Sequence, residues 1–170
     1  SQYVGMGKSL YEASEAARQV FHQADQVLGF ALTKLMFEGP DHELEDTINA
    51  QPAILTLSVA CLAVLKEKWS ELGKAAEPIV VAGHSLGEYS ALVAAGSLSF
   101  ADAVRLVRKR GRYMQEAVPP GVGAMAALLK LPEGKLNQVL AEAAQGEIVS
   151  AANLNSPEQV VIAGHAGAVG

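Results

Sequence analysis

The sequence predicts an α/β protein, and three observations support this fold class. Half of the 170 residues are hydrophobic and only 18% are charged, so the chain can bury a substantial core. Apolar residues recur at helical spacing along most of the first half. A short, continuous apolar run at 79–82 then has the pattern of a buried parallel strand, and it leads into a glycine-flanked turn and another helical segment.

Composition also excludes several classes of function. The net charge of −5 disfavours nucleic-acid binding, which requires a basic surface. A single cysteine, Cys61, cannot form an internal disulfide and fits a reducing compartment. The apolar run at 53–65 contains polar residues and is too short to cross a bilayer, and we recognise no signal peptide. We therefore expect a cytoplasmic protein that binds neither nucleic acid nor membrane.

Five helices are predicted in the first part of the chain, over residues 9–28, 30–37, 52–72, 88–95 and 100–118. Gly29 offers a stop for the first helix, and Pro52 suits the first position of the third. Ser99 and Asp102 have the spacing of an N-cap and capping box. The buried face of helix 52–72 is predicted to contain Ile54, Leu57, Cys61, Leu62 and Leu65.

The pattern changes at Pro119-Pro120-Gly121, where we place a domain boundary between residues 1–119 and 120–170. The second part is predicted to contain strands over 124–131, 148–152 and 159–163, a helix over 133–144, and a turn at 155–157. This order gives most of a ferredoxin-like lobe, whose closing helix would begin near Ala166. Because that lobe is unfinished, we expect the sequence to be a fragment.

Ser85 is the predicted nucleophile. It lies in the Gly-x-Ser-x-Gly sequence between the predicted strand and a helix, which is the pattern of a nucleophile elbow. Gly83 and Gly87 would remove Cβ atoms from the tight turn. The turn places the hydroxyl at a helix N-terminus, where the Leu86 amide can stabilise an oxyanion. The alternative is an ordinary strand-to-helix turn.

None of the four histidines is a convincing general base for Ser85. His22 and His42 fit solvated surface positions, and His84 is a structural neighbour of the nucleophile. His165 follows the last strand of the second part and is poorly placed. We therefore expect the base to lie outside this sequence.

Arg110 differs from the other cationic side chains of helix 100–118. On a helical wheel, Arg105, Lys109 and Arg112 fall opposite the apolar stripe, whereas Arg110 flanks it. A guanidinium there needs a carboxylate or several carbonyls, because it does not lose its proton. The choice is between a structural ion pair and a receptor for a substrate carboxylate. With an elbow serine, the second choice indicates an acyl donor that carries a free carboxylate.

These residues resemble a known family. The segment GHSLGEYSALV at 83–93 is similar to the active-site block of bacterial malonyl-CoA:acyl-carrier-protein transacylases, whose family includes the acyltransferase domains of fatty acid and polyketide synthases. Further matches occur in the same order, at 1–7, 51–53, 110–115, 123–127 and 153–157. The resemblance covers the N-terminal part of a full-length member. It implies an α/β-hydrolase-like large subdomain with an inserted ferredoxin-like small subdomain.

The resemblance also implies a reaction. Ser85 would accept a malonyl group from malonyl-CoA and pass it to the phosphopantetheine thiol of acyl carrier protein, with ping-pong kinetics. The Leu86 amide would contribute to the oxyanion hole, Arg110 would bind the malonyl carboxylate, and Gln51 matches a glutamine near the active site. No metal or resident cofactor is implied, since malonyl-CoA is a substrate, and we expect a monomer. The family's catalytic histidine and its N-terminal oxyanion glutamine have no counterpart in this sequence, so these 170 residues alone are expected to be nearly inactive.

Three alternatives stay open. A serine hydrolase or thioesterase shares the elbow but has no need of Arg110. An acyltransferase domain of a polyketide pathway would share the chemistry. A non-catalytic partner of acyl carrier protein would retain the fold and use the cationic side chains Arg105, Arg108, Lys109 and Arg112 to attract an acidic carrier, although a merely solvated helix face explains them too.

Overall fold

The computed structural model describes residues 2–74, 78–119 and 121–170, and the chain forms two compact units, Ser1–Gln115 and Glu116–Gly170. The helices that begin in the first unit are α1 Lys8–Ala13, α2 Glu15–Leu28, α3 Leu32–Glu38, α4 Asp41–Glu45, α5 Thr47–Glu71, α6 Gly87–Ala94 and α7 Phe100–Ala117. The elements of the second unit are β1 Gly123–Leu129, α8 Leu136–Ala144, β2 Val149–Ser156, β3 Gln159–His165 and α9 Ala166–Val169. The chain therefore combines helices with a sheet, as predicted.

The single helix predicted over 9–28 is instead two helices, α1 and α2. Ser14 has extended backbone angles and its hydroxyl accepts the Ala17 N–H at 3.2 Å, so it caps α2. A serine that satisfies a free amide in this way starts a new helix more favourably than it continues an old one. The predicted stop at Gly29 is confirmed, since this residue ends α2 with a φ of 73°.

Helix α5 begins five residues earlier than predicted, so Pro52 lies inside it rather than at its start. A proline has no N–H, so the helix makes no bond from position 52 to the Ile48 carbonyl. That carbonyl instead accepts from Arg108 Nη1 at 3.2 Å. A cation from α7 therefore satisfies the acceptor that Pro52 leaves open, which explains how a proline is accommodated there.

The buried face predicted for helix α5 is wrong. Cys61 and Leu65 are exposed, and Ile54, Leu57 and Leu62 are only partly buried. The buried residues of this helix are Ala50, Gln51, Pro52, Ala53, Leu55, Thr56 and Ala60. The first half of α5 is covered on most sides by α2, α3, α4 and α6, so its burial does not follow a single helical stripe. The sequence pattern therefore could not identify the face.

Helix α5 also corrects the expectation about apolar length. This helix of 25 residues is long and apolar enough to cross a membrane, and no other helix in the described ranges has this property. The core helix of a globular unit has the same length and composition, and α5 packs against four neighbouring helices of its unit. Length and composition alone therefore do not make α5 a membrane span.

Residues 79–82, predicted to be a buried strand, are neither paired nor buried. Ile79 is fully exposed, and Val80 is 80% exposed. A strand exists through its hydrogen bonds to a neighbour, and residues 2–74 and 78–115 supply no paired strand in the first unit. The segment is nevertheless positioned as predicted, immediately before the turn at Ser85.

The second unit is a three-stranded antiparallel sheet with the order β1-β3-β2. The connection from β1 to β2 runs through α8, and β3 then returns between them by the two-residue turn 157–158. Both α8 and α9 contact the sheet. The predicted strands, helix and closing helix are confirmed within a few residues at each end, and α9 begins at Ala166 as expected. The turn predicted at 155–157 lies later in the chain, because β2 continues to Ser156.

One buried polar group gives a stability prediction. The side chain of Thr56 is fully buried in α5, and its hydroxyl has no hydrogen-bond partner among the described residues. Because an unpaired buried hydroxyl costs free energy, Thr56→Val is expected to raise the free energy of unfolding by about 1 kcal/mol. Urea denaturation would measure the change. Ser58→Ala is the matched control, because Ser58 Oγ already donates to Ile54 O at 2.8 Å. A destabilised Thr56→Val variant would contradict the prediction.

Candidate active site

Ser85 lies at the tip of a tight turn directly before α6. Its φ is 52°, in the left-handed region that residues other than glycine rarely adopt. The turn closes through hydrogen bonds from Gly87 N to His84 O at 2.8 Å and from Glu88 N to Ser85 O at 3.3 Å. The Ser85 side chain is exposed. A strained, exposed serine at the start of a helix is the geometry expected of a nucleophile elbow.

Gly83 is required by this turn, whereas Gly87 is not. A Cβ at Gly83 would lie 1.9 Å from the Gly87 carbonyl carbon and 2.4 Å from Glu88 N, which are impossible contacts with backbone atoms. A Cβ at Gly87 would meet no atom of the described residues within 4 Å. The predicted steric reason for glycine is therefore confirmed at 83 and wrong at 87. The turn folds back on itself so that only the first glycine faces backbone.

Leu86 connects the turn to the core. Its side chain is buried against Leu55 of α5 and Val104 of α7. Its backbone N–H has no hydrogen-bond acceptor among residues 2–74, 78–119 and 121–170. The amide therefore sits beside Ser85 at the N-terminus of α6, free to donate to an oxygen that gains negative charge.

Arg110 and Gln51 meet at Ser85. Arg110 Nη2 donates to Ser85 Oγ at 2.9 Å, and Arg110 Nη1 donates to Gln51 Oε1 at 2.7 Å. Arg110 is half-buried, and both partners are neutral. No carboxylate pairs with it in the part of the chain that the structure describes, so the predicted structural ion pair is absent there. Three residues predicted separately therefore form one connected group.

A close helix crossing brings Gln51 to Arg110. Gly111, the residue after Arg110, is buried where α7 crosses the start of α5. A Cβ at Gly111 would lie 2.6 Å from Ile48 Cα and 2.7 Å from Thr47 O. Only glycine allows the two backbones to approach so closely. The Arg110-Gly111 pair thus combines the side chain that contacts Ser85 with the helix contact that positions Gln51.

Two residues of this group, Thr47 and Met114, were not predicted from the sequence. Gln51 Nε2 donates to Thr47 Oγ1 at 2.9 Å and to Met114 Sδ at 3.3 Å. The four-residue spacing of Thr47 and Gln51 is a signal for a contact on one helix face, but only once both lie in the same helix. Met114 lies in α7 and is half-exposed, so its contact with Gln51 joins two different helices and has no signal in the spacing of either one.

No described histidine hydrogen-bonds to Ser85. The His22 ring bonds the Tyr11 hydroxyl, and the His165 Nδ1 accepts the Ile148 N–H at 3.0 Å. His42 and His84 are exposed. The Cys61 thiol is exposed, and desolvation by its neighbours raises its pKa, which disfavours the reactive thiolate.

The remaining cations of α7 form a surface that we call the cationic face, made up of Arg105, Arg108, Lys109 and Arg112. Together with Val27, Leu28 and Ile48 they line a depression of about 360 Å³. Arg105 pairs with Asp102 at 3.1 Å. Arg108 binds Asn49 and stacks 4.6 Å over the Phe30 ring, and burial lowers the pKa of its guanidinium. Part of the cationic face is therefore structural.

Comparison with known proteins places the chain in a family. The family described as acyl transferase domain matches residues 1–170, the whole chain. The chain belongs to the acyl transferase domain family. The prediction made from the motifs at 83–93 and 110–115 is thereby confirmed at the level of the family.

Members of the acyl transferase domain family with known names and structures are similar over the whole chain. The malonyl CoA-acyl carrier protein transacylase of Bacillus subtilis (strain 168) is 54% identical over 167 residues, covering 98% of this chain and 51% of that protein. The acyl-carrier-protein-S-malonyltransferase of Bartonella henselae has a TM-score of 0.89 at 45% identity, covering 99% of this chain and 53% of that one.

A third similar structure contains a bound partner. It is a malonyl-transacylase in complex with a type II PKS acyl-carrier protein, with a TM-score of 0.87 and 48% identity, covering 99% of this chain and 53% of that one. The chain spans about half the length of the curated relatives it matches.

Proposed function

We propose that the protein containing this chain transfers a malonyl group from malonyl-CoA to the phosphopantetheine thiol of acyl carrier protein, for fatty acid biosynthesis. The observation that carries the proposal is the hydrogen bond of 2.9 Å between Arg110 and Ser85 Oγ. A guanidinium with only neutral described partners, touching a nucleophile, is a receptor for an acyl group that bears its own carboxylate. The names of the relatives agree with this chemistry.

The geometry of a malonyl group fits the short distance between the Arg110 guanidinium and Ser85 Oγ. In a malonyl thioester the carboxylate carbon is two C–C bonds, of about 1.5 Å each, from the carbonyl carbon that the nucleophile attacks. A guanidinium beside Ser85 Oγ therefore reaches the carboxylate while the hydroxyl reaches the thioester. An acetyl group offers Arg110 nothing to bind, so binding energy is available only to the acyl group with a carboxylate.

The proposed reaction has two balanced steps. Ser85 Oγ attacks the thioester carbon, the C–S bond breaks, and the serine proton passes through a general base to the CoA thiolate. The phosphopantetheine thiol then attacks the ester carbon, a C–S bond forms, the C–O bond to Ser85 breaks, and the thiol proton passes through the base to Ser85 Oγ. The Leu86 amide stabilises the oxyanion in both steps. The base and a second oxyanion donor are expected from the part of the full-length relatives that this chain does not span.

The partner and location follow from the same proposal. An acyl carrier protein is supported by the complex formed by the similar malonyl-transacylase, and the cationic face supports attraction of an acidic partner. A cytoplasmic location is supported by the free, exposed Cys61 thiol, which fits a reducing compartment. We propose a monomer as well. A carrier of a polyketide pathway is the second candidate partner, favoured by the carrier in that complex.

We also propose the finer fold description: an α/β-hydrolase-like large subdomain over residues 1–119 and a ferredoxin-like small subdomain over 120–170. The elbow before α6 supports the first. The strand order β1-β3-β2, with α8 connecting β1 to β2, supports the second.

The proposed function predicts a covalent malonyl adduct on Ser85. Protein produced from its complete coding sequence would be exposed briefly to malonyl-CoA or acetyl-CoA, and its intact mass and the labelled peptide would be determined. We expect a malonyl adduct on the peptide containing Ser85 that greatly exceeds the acetyl adduct. Subsequent addition of acyl carrier protein should remove the adduct and label the carrier, whereas water alone should remove it slowly. Release of free malonate as the main product would instead indicate a hydrolase.

A further inference from the structure

The Gln51 amide has an orientation determined by its neighbours. Its nitrogen donates to Thr47 Oγ1 at 2.9 Å and to Met114 Sδ at 3.3 Å, and its oxygen accepts from Arg110 at 2.7 Å. A guanidinium can only donate, and a thioether sulfur can only accept. A threonine hydroxyl can donate or accept. Arg110 and Met114 therefore decide that the amide oxygen faces Arg110, and Thr47 then holds the amide nitrogen in that orientation.

We propose that Thr47 and Met114 are positioning residues for acyl-group selectivity, because they hold the Gln51 amide with its oxygen toward Arg110. The proposal rests on the malonyl transfer proposed above. If the amide turned over, its NH₂ group would face the guanidinium, and two donors would oppose each other. Arg110 would then lose its anchor and its position beside Ser85.

The effect of this loss should depend on the acyl group. Gln51 is neutral, so it holds Arg110 without neutralising it, and the positive charge stays available for a substrate carboxylate. A malonyl group needs the guanidinium in place, whereas an acetyl group has no carboxylate to bind it. Displacing Arg110 should therefore lower the malonyl rate and leave the acetyl rate unchanged. A general loss of stability would lower both rates together.

Replacing Gln51 itself tests why the anchor is an amide. Gln51→Glu would place a carboxylate against Arg110, forming an ion pair that competes with the substrate carboxylate. The malonyl rate should fall at least as far as in the positioning variants, although Arg110 stays in place. This variant separates the position of the guanidinium from the availability of its charge.

The experiment compares acylation rates of Ser85 in the complete protein. Thr47→Val removes the hydroxyl with little change in shape, and Met114→Leu removes the sulfur at similar volume. Each should lower the malonyl-to-acetyl rate ratio by about 3- to 10-fold, the range supported by one neutral hydrogen bond, through the malonyl rate alone. Thr47→Ser keeps the hydroxyl and should retain the wild-type ratio. Thr56→Val, which removes a hydroxyl from the same helix outside this group, should retain it too.

Each other outcome overturns the proposal. An unchanged ratio in Thr47→Val or in Met114→Leu would overturn the positioning role of that residue, and an unchanged ratio in both would show that the amide needs neither neighbour. An equal fall in malonyl and acetyl rates would assign both residues a purely structural role. If the wild-type protein forms no malonyl adduct, the proposed function fails together with this proposal. If the wild-type protein forms the adduct but the variants keep its malonyl-to-acetyl ratio, only this proposal fails. Circular dichroism spectra would show whether each variant folds, and Thr47→Ser keeps the test informative if Thr47→Val does not.

Discussion

Replacing Ser85 with alanine or glycine is expected to abolish the malonyl adduct, with different consequences for stability. Both changes remove Oγ, so the acylation rate should fall by roughly 10⁴-fold or more. Ser85 has a φ of 52°, which is strained for alanine as for serine but accessible to glycine. The free energy of unfolding of Ser85→Gly should therefore exceed that of Ser85→Ala by up to about 1 kcal/mol. This figure allows for the greater freedom of glycine in the unfolded chain.

Intact-mass kinetics would measure the adduct, and urea denaturation midpoints would measure stability. The two readouts test separate claims. A persistent adduct in Ser85→Ala would place the acyl group on another residue and exclude Ser85 as the nucleophile. Equal stability of the two variants would show that the turn relaxes when the hydroxyl is lost and stores no backbone strain.

Replacing Arg110 with alanine is expected to lower malonylation of Ser85 by about 10²-fold, equivalent to about 2.7 kcal/mol. The reason is the loss of a charge-assisted contact to the malonyl carboxylate, beside a nucleophile that Arg110 touches at 2.9 Å. The acetylation rate should not fall, because an acetyl group makes no such contact. Arg110→Lys should give an intermediate result, since an ammonium keeps the charge but not the two-pronged geometry that reaches both Ser85 and Gln51.

Lys109→Ala is the matched control for Arg110→Ala, because it removes an adjacent, exposed cation from the same helix. It should leave the malonyl-to-acetyl rate ratio unchanged, which separates the role of Arg110 from the overall charge of α7. Parallel losses of malonyl and acetyl rates in Arg110→Ala would contradict a carboxylate receptor. They would favour a role for Arg110 in holding the Ser85 turn.

Local chemistry made much of the site predictable. The turn that carries Ser85, the need for glycine at 83 and the separate position of Arg110 on α7 each depend on a short stretch of chain, either a five-residue turn or one face of a helix. The helical wheel separated Arg110 from its cationic neighbours because apolar positions in α7 recur with regular spacing. In the second unit, alternating strands and a short turn gave the element order within a few residues.

Several failed predictions required knowledge of residues distant in the sequence. Residues 79–82 have the composition of a buried strand, but pairing depends on another strand, and the described part of the first unit contains none. The buried side of α5 was misplaced because several helices surround its first half. Thr47 and Met114 were missed because their importance comes from Gln51, which each of them contacts.

The sequence by itself determined the fold class, the turn that exposes Ser85 and the chemical types of the groups around it. These depend on backbone angles, helix periodicity and the ionisation of single side chains, which act over a few residues. Only the tertiary structure decided that Arg110, Gln51 and Ser85 form one hydrogen-bonded group. That contact joins residues 25 and 59 positions apart through the close crossing of α5 and α7 at Gly111. Packing between distant segments leaves no periodic signal in either one, so a pattern along the chain cannot reveal it.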